Sequence, residues 1–246
     1  MKTENNTILI TGGASGIGFA LAEKFLAAGN TVIVCGRREE RLREARAKHP
    51  ELRTRACDVA DPAQREALCA WVTSEFPGLN VLVNNAGIQQ RIPLRQAPSW
   101  DMMRQELAIN LDAPIHLSTL LIPGLSQRKD AAIVNITSGL AFSPLANVPV
   151  YSATKAALRS FTLSLRHQLA GTSIEVVEII PPAVDTDLGG VGLHTFGAPL
   201  GAFTDSIWGQ LKSGSREAAY GPAVEAGKAS REQLDAIFKR MNPTAD

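Results

Sequence analysis

Two apolar rhythms alternate along the chain. Short, mostly β-branched runs at 8–10, 32–34, 81–83, 132–136 and 174–180 are apolar at successive positions. Such runs predict strands covered on both faces, as in a parallel sheet. Residues 52–57 form a weaker candidate. Between these runs, 17–28, 38–48, 62–76, 99–127 and 150–170 carry apolar residues at helical spacing. Six strands alternating with helices predict an α/β chain with a Rossmann-like doubly wound parallel sheet flanked by helices. In that architecture ligands bind beyond the carboxyl ends of the strands, where strand order reverses.

The rhythm changes after residue 180. Residues 181–216 are rich in Gly and Pro yet keep Leu188, Val191, Leu193, Phe196, Leu200, Phe203, Ile207 and Trp208. A long irregular stretch in a compact domain is usually functional or disordered, and this one is too apolar for disorder. It reads as a substrate lid over 186–216. Residues 216–221 predict a short seventh strand, and 230–240 a last capped, amphipathic helix. With no repeat, low-complexity tract or linker, residues 1–246 read as a single domain.

Composition narrows the functional classes. The chain has 246 residues, 45% hydrophobic, and a net charge of +1, which offers no field for nucleic acid or a membrane surface. The arginines of the 38–48 helix are interleaved with Glu39, Glu40 and Glu44, so that helix reads as a mixed, solvated face. Cys35, Cys57 and Cys69 have neither metal-ligand spacing nor an even count for disulfides. They fit a reducing cytoplasm. The four histidines (His49, His116, His167, His194) also lack ligand spacing, and no metal is expected. Only His194, inside the lid stretch, is a candidate for the substrate's vicinity. No apolar run reaches the length of a membrane span.

Candidate chemistry lies at the strand ends. Thr11-Gly12-Gly13-Ala14-Ser15-Gly16-Ile17-Gly18 joins the first strand to the first helix. Glycines at 12, 16 and 18 allow a tight turn and close backbone approach to a pyrophosphate, and the helix N-terminus adds partial positive charge. An acid about 20 residues further on would favour NAD. Here the second strand ends in Cys35-Gly36-Arg37-Arg38. Guanidinium groups grip a 2′-phosphate with charge-assisted bonds, and Ser15 adds a hydroxyl. The expected cofactor is NADP(H).

Tyr151 and Lys155 stand one helical turn apart and so share a face. A free tyrosine titrates near pH 10, too high for ready proton exchange at neutrality. A nearby ammonium and a positive nicotinamide ring would favour phenolate and lower that value.

Taken with Cys57-Asp58-Val59, Asn84-Asn85-Ala86-Gly87, Asn110, Ser138 and Pro181-x-x-Val184-x-Thr186, these motifs resemble the short-chain dehydrogenase/reductase family over residues 7–187. The resemblance implies a catalytic set of Asn110, Ser138, Tyr151 and Lys155. In it, Ser138 holds the substrate oxygen, Tyr151 exchanges the proton and Asn110 supports a water relay. It further implies cofactor contacts from Gly12, Ser15, Gly16, Ile17, Gly18, Arg37, Arg38, Asp58, Val59 and Asn85. Tyr151, Lys155, Val184 and Thr186 complete that group. Asp58 would also suit a helix-initiating role, and Asn85 a structural one.

The expected reaction is hydride transfer between the nicotinamide and a small carbonyl or alcohol substrate. Two alternatives remain at this stage: an NADP(H)-binding regulatory protein without turnover, and a ketoreductase for carrier-bound acyl groups. The latter would need a basic patch at the mouth, where Arg91 and Arg95 are the candidates. Gln89, Gln90 and Arg91 are expected at the substrate rim.

The chain departs from the family at Pro181-Pro182, where Pro-Gly is usual, and in lacking the family's Val-Asp-Gly-Gly-like ending. A homodimer through the long fourth and fifth helices is expected rather than the usual tetramer. The stretch 181–186 and the tail are similar to a narrower branch, the oxidoreductases found beside teichoic-acid D-alanylation genes.

Overall fold

The computed structural model describes residues 1–243. Seven strands form one parallel sheet in the order β3-β2-β1-β4-β5-β6-β7. They are β1 (Thr7–Thr11), β2 (Thr31–Gly36), β3 (Arg53–Ala56), β4 (Val81–Asn84), β5 (Ala131–Ile136), β6 (Ile174–Ile180) and β7 (Glu217–Ala219). The expected seventh strand is therefore present. Strand order reverses between β1 and β4, which pair Ile8 with Val81 and Ile10 with Val83.

Side-chain alternation along each strand feeds two cores. Ile8, Ile10, Val32 and Val34 point to one face, where they meet Leu21 and Phe25 of α1 (Gly16–Ala27) and Leu42 of α2 (Glu39–Lys48). Leu9, Ile33, Leu82 and Ile133 point to the other. There they pack with Leu68 and Val72 of α3 (Pro62–Glu75), Leu117 and Leu121 of α5 (Ala113–Leu125) and Leu165 of α6 (Pro149–Gln168). This double cover explains why the strands lack polar alternation.

Two elements differ from the sequence expectation. The stretch 99–127 is not one α-helix: α4 (Trp100–Leu107) passes through a π turn, Ala108–Asp112, before α5 begins. Pro114 lacks an N–H, so Asn110 loses its ordinary i+4 donor, and the Ala113 N–H reaches back to Ala108 instead. The stretch 186–216 also divides. Residues 185–199 are irregular, whereas Leu200–Lys212 forms α7, whose Phe203, Ile207 and Leu211 are buried in the core beside α1. Its spacing of apolar residues was helical all along (203, 207, 211), but the Gly and Pro before it obscured the start. The chain then closes with α8 (Pro222–Ala226) and α9 (Arg231–Met241), the latter held by a Ser230–Gln233 capping box.

Phe203→Ala tests the assignment of α7 to the core. The expected loss is about 3–5 kcal/mol in urea unfolding, as for other buried aromatic truncations. A loss under about 1 kcal/mol would mean that α7 is a detachable flap.

Candidate active site

At the carboxyl end of the sheet a single cleft of about 1280 Å³ runs from β2 across the switch point to α9. It exceeds the roughly 300–1,000 Å³ of ordinary small-ligand pockets. All the expected catalytic and cofactor-binding residues line it except Gly18 and Asn110.

The first wall is fixed by Thr11 and Asn85. The Thr11 hydroxyl accepts the N–H groups of Asn85 and Ala86, both at 3.0 Å. The Asn85 amide donates to the carbonyls of Thr11 (2.9 Å) and Gly12 (3.2 Å). This clamp leaves no room for a side chain at position 18, where a Cβ would stand 2.3 Å from Asn85 Nδ2 and 2.7 Å from the Gly12 carbonyl oxygen. Asn84 points the other way, into a buried net with Ser118 and Asn135 that Asn135 continues to Thr162. So the Asn84-Asn85 pair joins sheet to helices on one side and shapes the glycine turn on the other.

The β2 end is cationic. Arg37, Arg38 and Arg41 all line the cleft, and Arg38 Nη2 donates to Ser15 Oγ at 3.2 Å. Arg41, one turn beyond Arg37, reads as part of the solvated helix face in the sequence and is an addition from the fold. Asp58 and Val59 line the neighbouring wall. The helix-initiating role falls to Asp61, which caps α3 through the Ala63 and Gln64 N–H groups, and not to Asp58.

At the other end Ser138, Tyr151 and Lys155 come together from β5 and α6. Ser138 follows β5 and caps a short 3-10 turn by accepting the Leu140 N–H at 3.1 Å. Lys155 is buried with its Nζ donating to the Ile136 carbonyl at 2.8 Å, 5.6 Å from the centre of the Tyr151 ring. Burial pushes the phenol up to about 12, against a smaller lowering by the Ser138 hydroxyl, and pushes the ammonium down to about 8. Protein groups alone therefore do not give the lowered tyrosine that the Tyr-Lys spacing predicts, because desolvation of the phenol outweighs the Ser138 hydrogen bond and the Glu106 charge also opposes phenolate.

Asn110 sits within the π turn. Its side chain is committed to the backbone of Ile88, accepting the N–H at 2.9 Å and donating to the carbonyl at 2.8 Å. Its Oδ1 and Lys155 Nζ converge above Gly87, at 3.4 and 3.8 Å from where a Cβ would stand. Any relay through Asn110 would thus use its main-chain carbonyl, which Pro114 cannot occupy.

At the substrate end Gln89, Gln90, Gln105, His194 and Phe196 line the cleft. Arg91 is exposed and is not among the lining residues. The basic side chain on that wall is Arg240 of α9. Val184 bridges to Ala198, and Thr186 lies near Gly16, its Cγ2 3.5 Å from where a Cβ on that glycine would stand. No helix among the described residues is long and apolar enough to cross a membrane.

The family pattern for short chain dehydrogenase matches residues 6–191. Over 98% of both chains, the sequence is 48% identical to the uncharacterised oxidoreductase DltE of Bacillus subtilis, in keeping with the narrower resemblance. It is 33% identical to the NADP-dependent 3-hydroxy acid dehydrogenase YdfG of Escherichia coli K12, covering 72% of each. A short-chain dehydrogenase from Burkholderia cenocepacia, solved in complex with NADP, superposes with a TM-score of 0.84 at 25% identity, covering 97% of this chain and 99% of that one.

Gly18→Ala should displace Asn85 and open the clamp. We expect nicotinamide-nucleotide affinity to fall at least about tenfold, roughly 1.4 kcal/mol, with a lower melting temperature; unaltered binding by fluorescence titration would show that the turn tolerates a side chain. The matching family pattern and the 48% identity across nearly the whole chain show that it belongs to the short-chain dehydrogenase family of oxidoreductases.

Proposed function

We propose that this chain uses NADP(H) to interconvert a carbonyl and an alcohol, with Tyr151 as the acid/base. The observation that carries the proposal is one continuous cleft with three guanidinium groups at one end and Ser138, Tyr151 and Lys155 at the other. The residues present fit the cofactor. Glycine at 18 makes room for the Asn85 clamp, and the Arg38–Ser15 contact gathers a guanidinium and a hydroxyl at the end of β2, which supports recognition of a 2′-phosphate there. The relatives named above as NADP-dependent or solved with NADP support the same reading.

When bound, the nicotinamide supplies or accepts hydride. The chain does the rest. Arg37, Arg38 and Arg41 would hold the phosphate, and Asp58 with the Val59 backbone would bind the adenine. Val184 and Thr186 would hold the carboxamide. Ser138 and Tyr151 aim two hydroxyls at the substrate oxygen, and donors of this kind are worth several kcal/mol each where charge develops. Tyr151 passes the proton, and Lys155, which here donates to the Ile136 carbonyl, would hold the ribose and add positive charge beside the phenol. The resulting positive surroundings oppose the desolvation that otherwise holds the phenol up.

The lid in this proposal is the irregular segment 185–199, with α7 as its fixed anchor. Val191 and Phe196 are 84% and 77% exposed, apolar surface that a bound substrate would cover. A homodimer belongs to the same proposal, supported by exposed Trp100 and Met102 at the head of α4 and by exposed Leu94 in the turn that precedes it. Sedimentation should then give twice the monomer mass of 26.3 kDa.

Fluorescence titration with NADPH and NADH is the direct test. NADPH should bind more tightly, and Arg37→Ala or Arg38→Ala should erase most of the preference. Equal affinity for the two would overturn the cofactor assignment. Tyr151→Phe should lower turnover of any accepted carbonyl by about 10²–10⁴-fold while NADPH affinity changes little.

A further inference from the structure

The chemistry above leaves one buried ionisable group beside the site without a role. Glu106, in the last turn of α4, has no exposed surface. Its Oε1 accepts the Gln90 N–H at 3.1 Å, and its Oε2 has no hydrogen-bond partner among the described residues. A carboxylate offers about four acceptor sites, so a single amide bond leaves the charge poorly compensated. Burial accordingly pushes this carboxyl up to about 7, against smaller lowering by the Gln90 N–H and by Lys155.

The placement is specific. Asn110 stands four residues further on and holds Ile88 just as Glu106 holds Gln90. The two therefore pin the exit of β4 together, and α4 packs against α6, which carries Tyr151 and Lys155. Those two side chains are the titratable groups coupled to Glu106. Its charge holds the Lys155 ammonium up and the Tyr151 phenol up. On its own helix Asp101 and Arg104 are exposed and face each other at 3.9 Å. The segment 88–90 offers only apolar and amide groups, and the π turn offers Asn110 and an exposed Asp112.

We propose that Glu106 is a positioning residue of the proton-handling assembly, a buried carboxyl that sets the charge of Lys155 and with it the readiness of Tyr151 to release its proton. The proposal rests on the reading of Tyr151 and Lys155 as the acid/base pair. Ionised Glu106 stabilises the ammonium and opposes phenolate. It thereby keeps Tyr151 a proton donor at and above neutral pH and biases the site toward carbonyl reduction. Protonated Glu106 exerts neither effect.

Glu106→Gln separates this role from a purely structural one, since glutamine keeps an oxygen for the Gln90 N–H and loses the charge. Infrared spectra of the whole chain between about pH 5 and 9 should show a protonated-carboxyl band that titrates near neutrality and vanishes in Glu106→Gln. Its midpoint should move to higher pH in Lys155→Met, where the compensating charge is gone. Absence of such a band, or a midpoint indifferent to Lys155→Met, overturns the proposal. This measurement needs no substrate, so it stands apart from any failure to find turnover.

With 2,3-butanedione as the carbonyl probe and NADPH, the alkaline limb of kcat/KM should move to lower pH by about 1 unit in Glu106→Gln, with NADPH affinity unchanged. A uniform fall in rate at every pH, with no displaced limb, would reduce Glu106 to a tie for the 88–90 segment and overturn the proposal.

Discussion

The clamp between Thr11 and Asn85 is the constraint from which the cleft follows. It lies where strand order reverses, so the chain segments leaving β1 and β4 have no intervening strand to separate them. Thr11 and Asn85 satisfy each other's backbone groups at that gap, which a buried loop must do. The consequence is steric. With the Asn85 amide seated against Gly12 and Gly18, the turn admits no side chain at 18. The glycine run is therefore required by the protein's own packing before any nucleotide arrives.

Burial dominates the electrostatics of the opposite end. Tyr151, Lys155 and Glu106 are all shifted toward the form that carries less charge, phenol and carboxyl pushed up and ammonium pushed down. A site built this way has a low-dielectric interior in which added charge is felt strongly. That suits a reaction in which a bound cofactor and a developing oxyanion supply the decisive charges. It also makes each uncompensated group costly, and Glu106 Oε2 is such a group.

The substrate end is assembled from late parts of the chain. Asn242, beyond α9, accepts the Ala146 N–H at 2.6 Å and donates to the Pro144 carbonyl at 3.0 Å. The helix is thereby fastened to the loop that leads into the Tyr151 helix, bringing Ile237, Arg240 and Met241 to the cleft wall. Opposite them lies the 185–199 segment, whose glycines at 189, 190 and 192 take positive φ. One wall is tied and the other is built of turns, a division suited to entry and closure.

By itself the sequence determined the sheet, because doubly covered strands must be apolar throughout and the helices between them must be amphipathic. It also determined the glycine turn, the Arg37-Arg38 end and the Tyr151–Lys155 face, since each depends on residues a few positions apart. Tertiary structure decided what depends on distant partners. Periodicity shows 99–127 as one helix, and only the packed chain reveals the π turn that Pro114 and the Ile88 contacts impose on Asn110. The apolar residues of 200–212 looked like lid because Gly and Pro precede them, yet α1 and the sheet receive them as core. Neither Glu106 nor the height of the Tyr151 pKa was legible, because desolvation is a property of everything packed around a group and not of its neighbours in sequence.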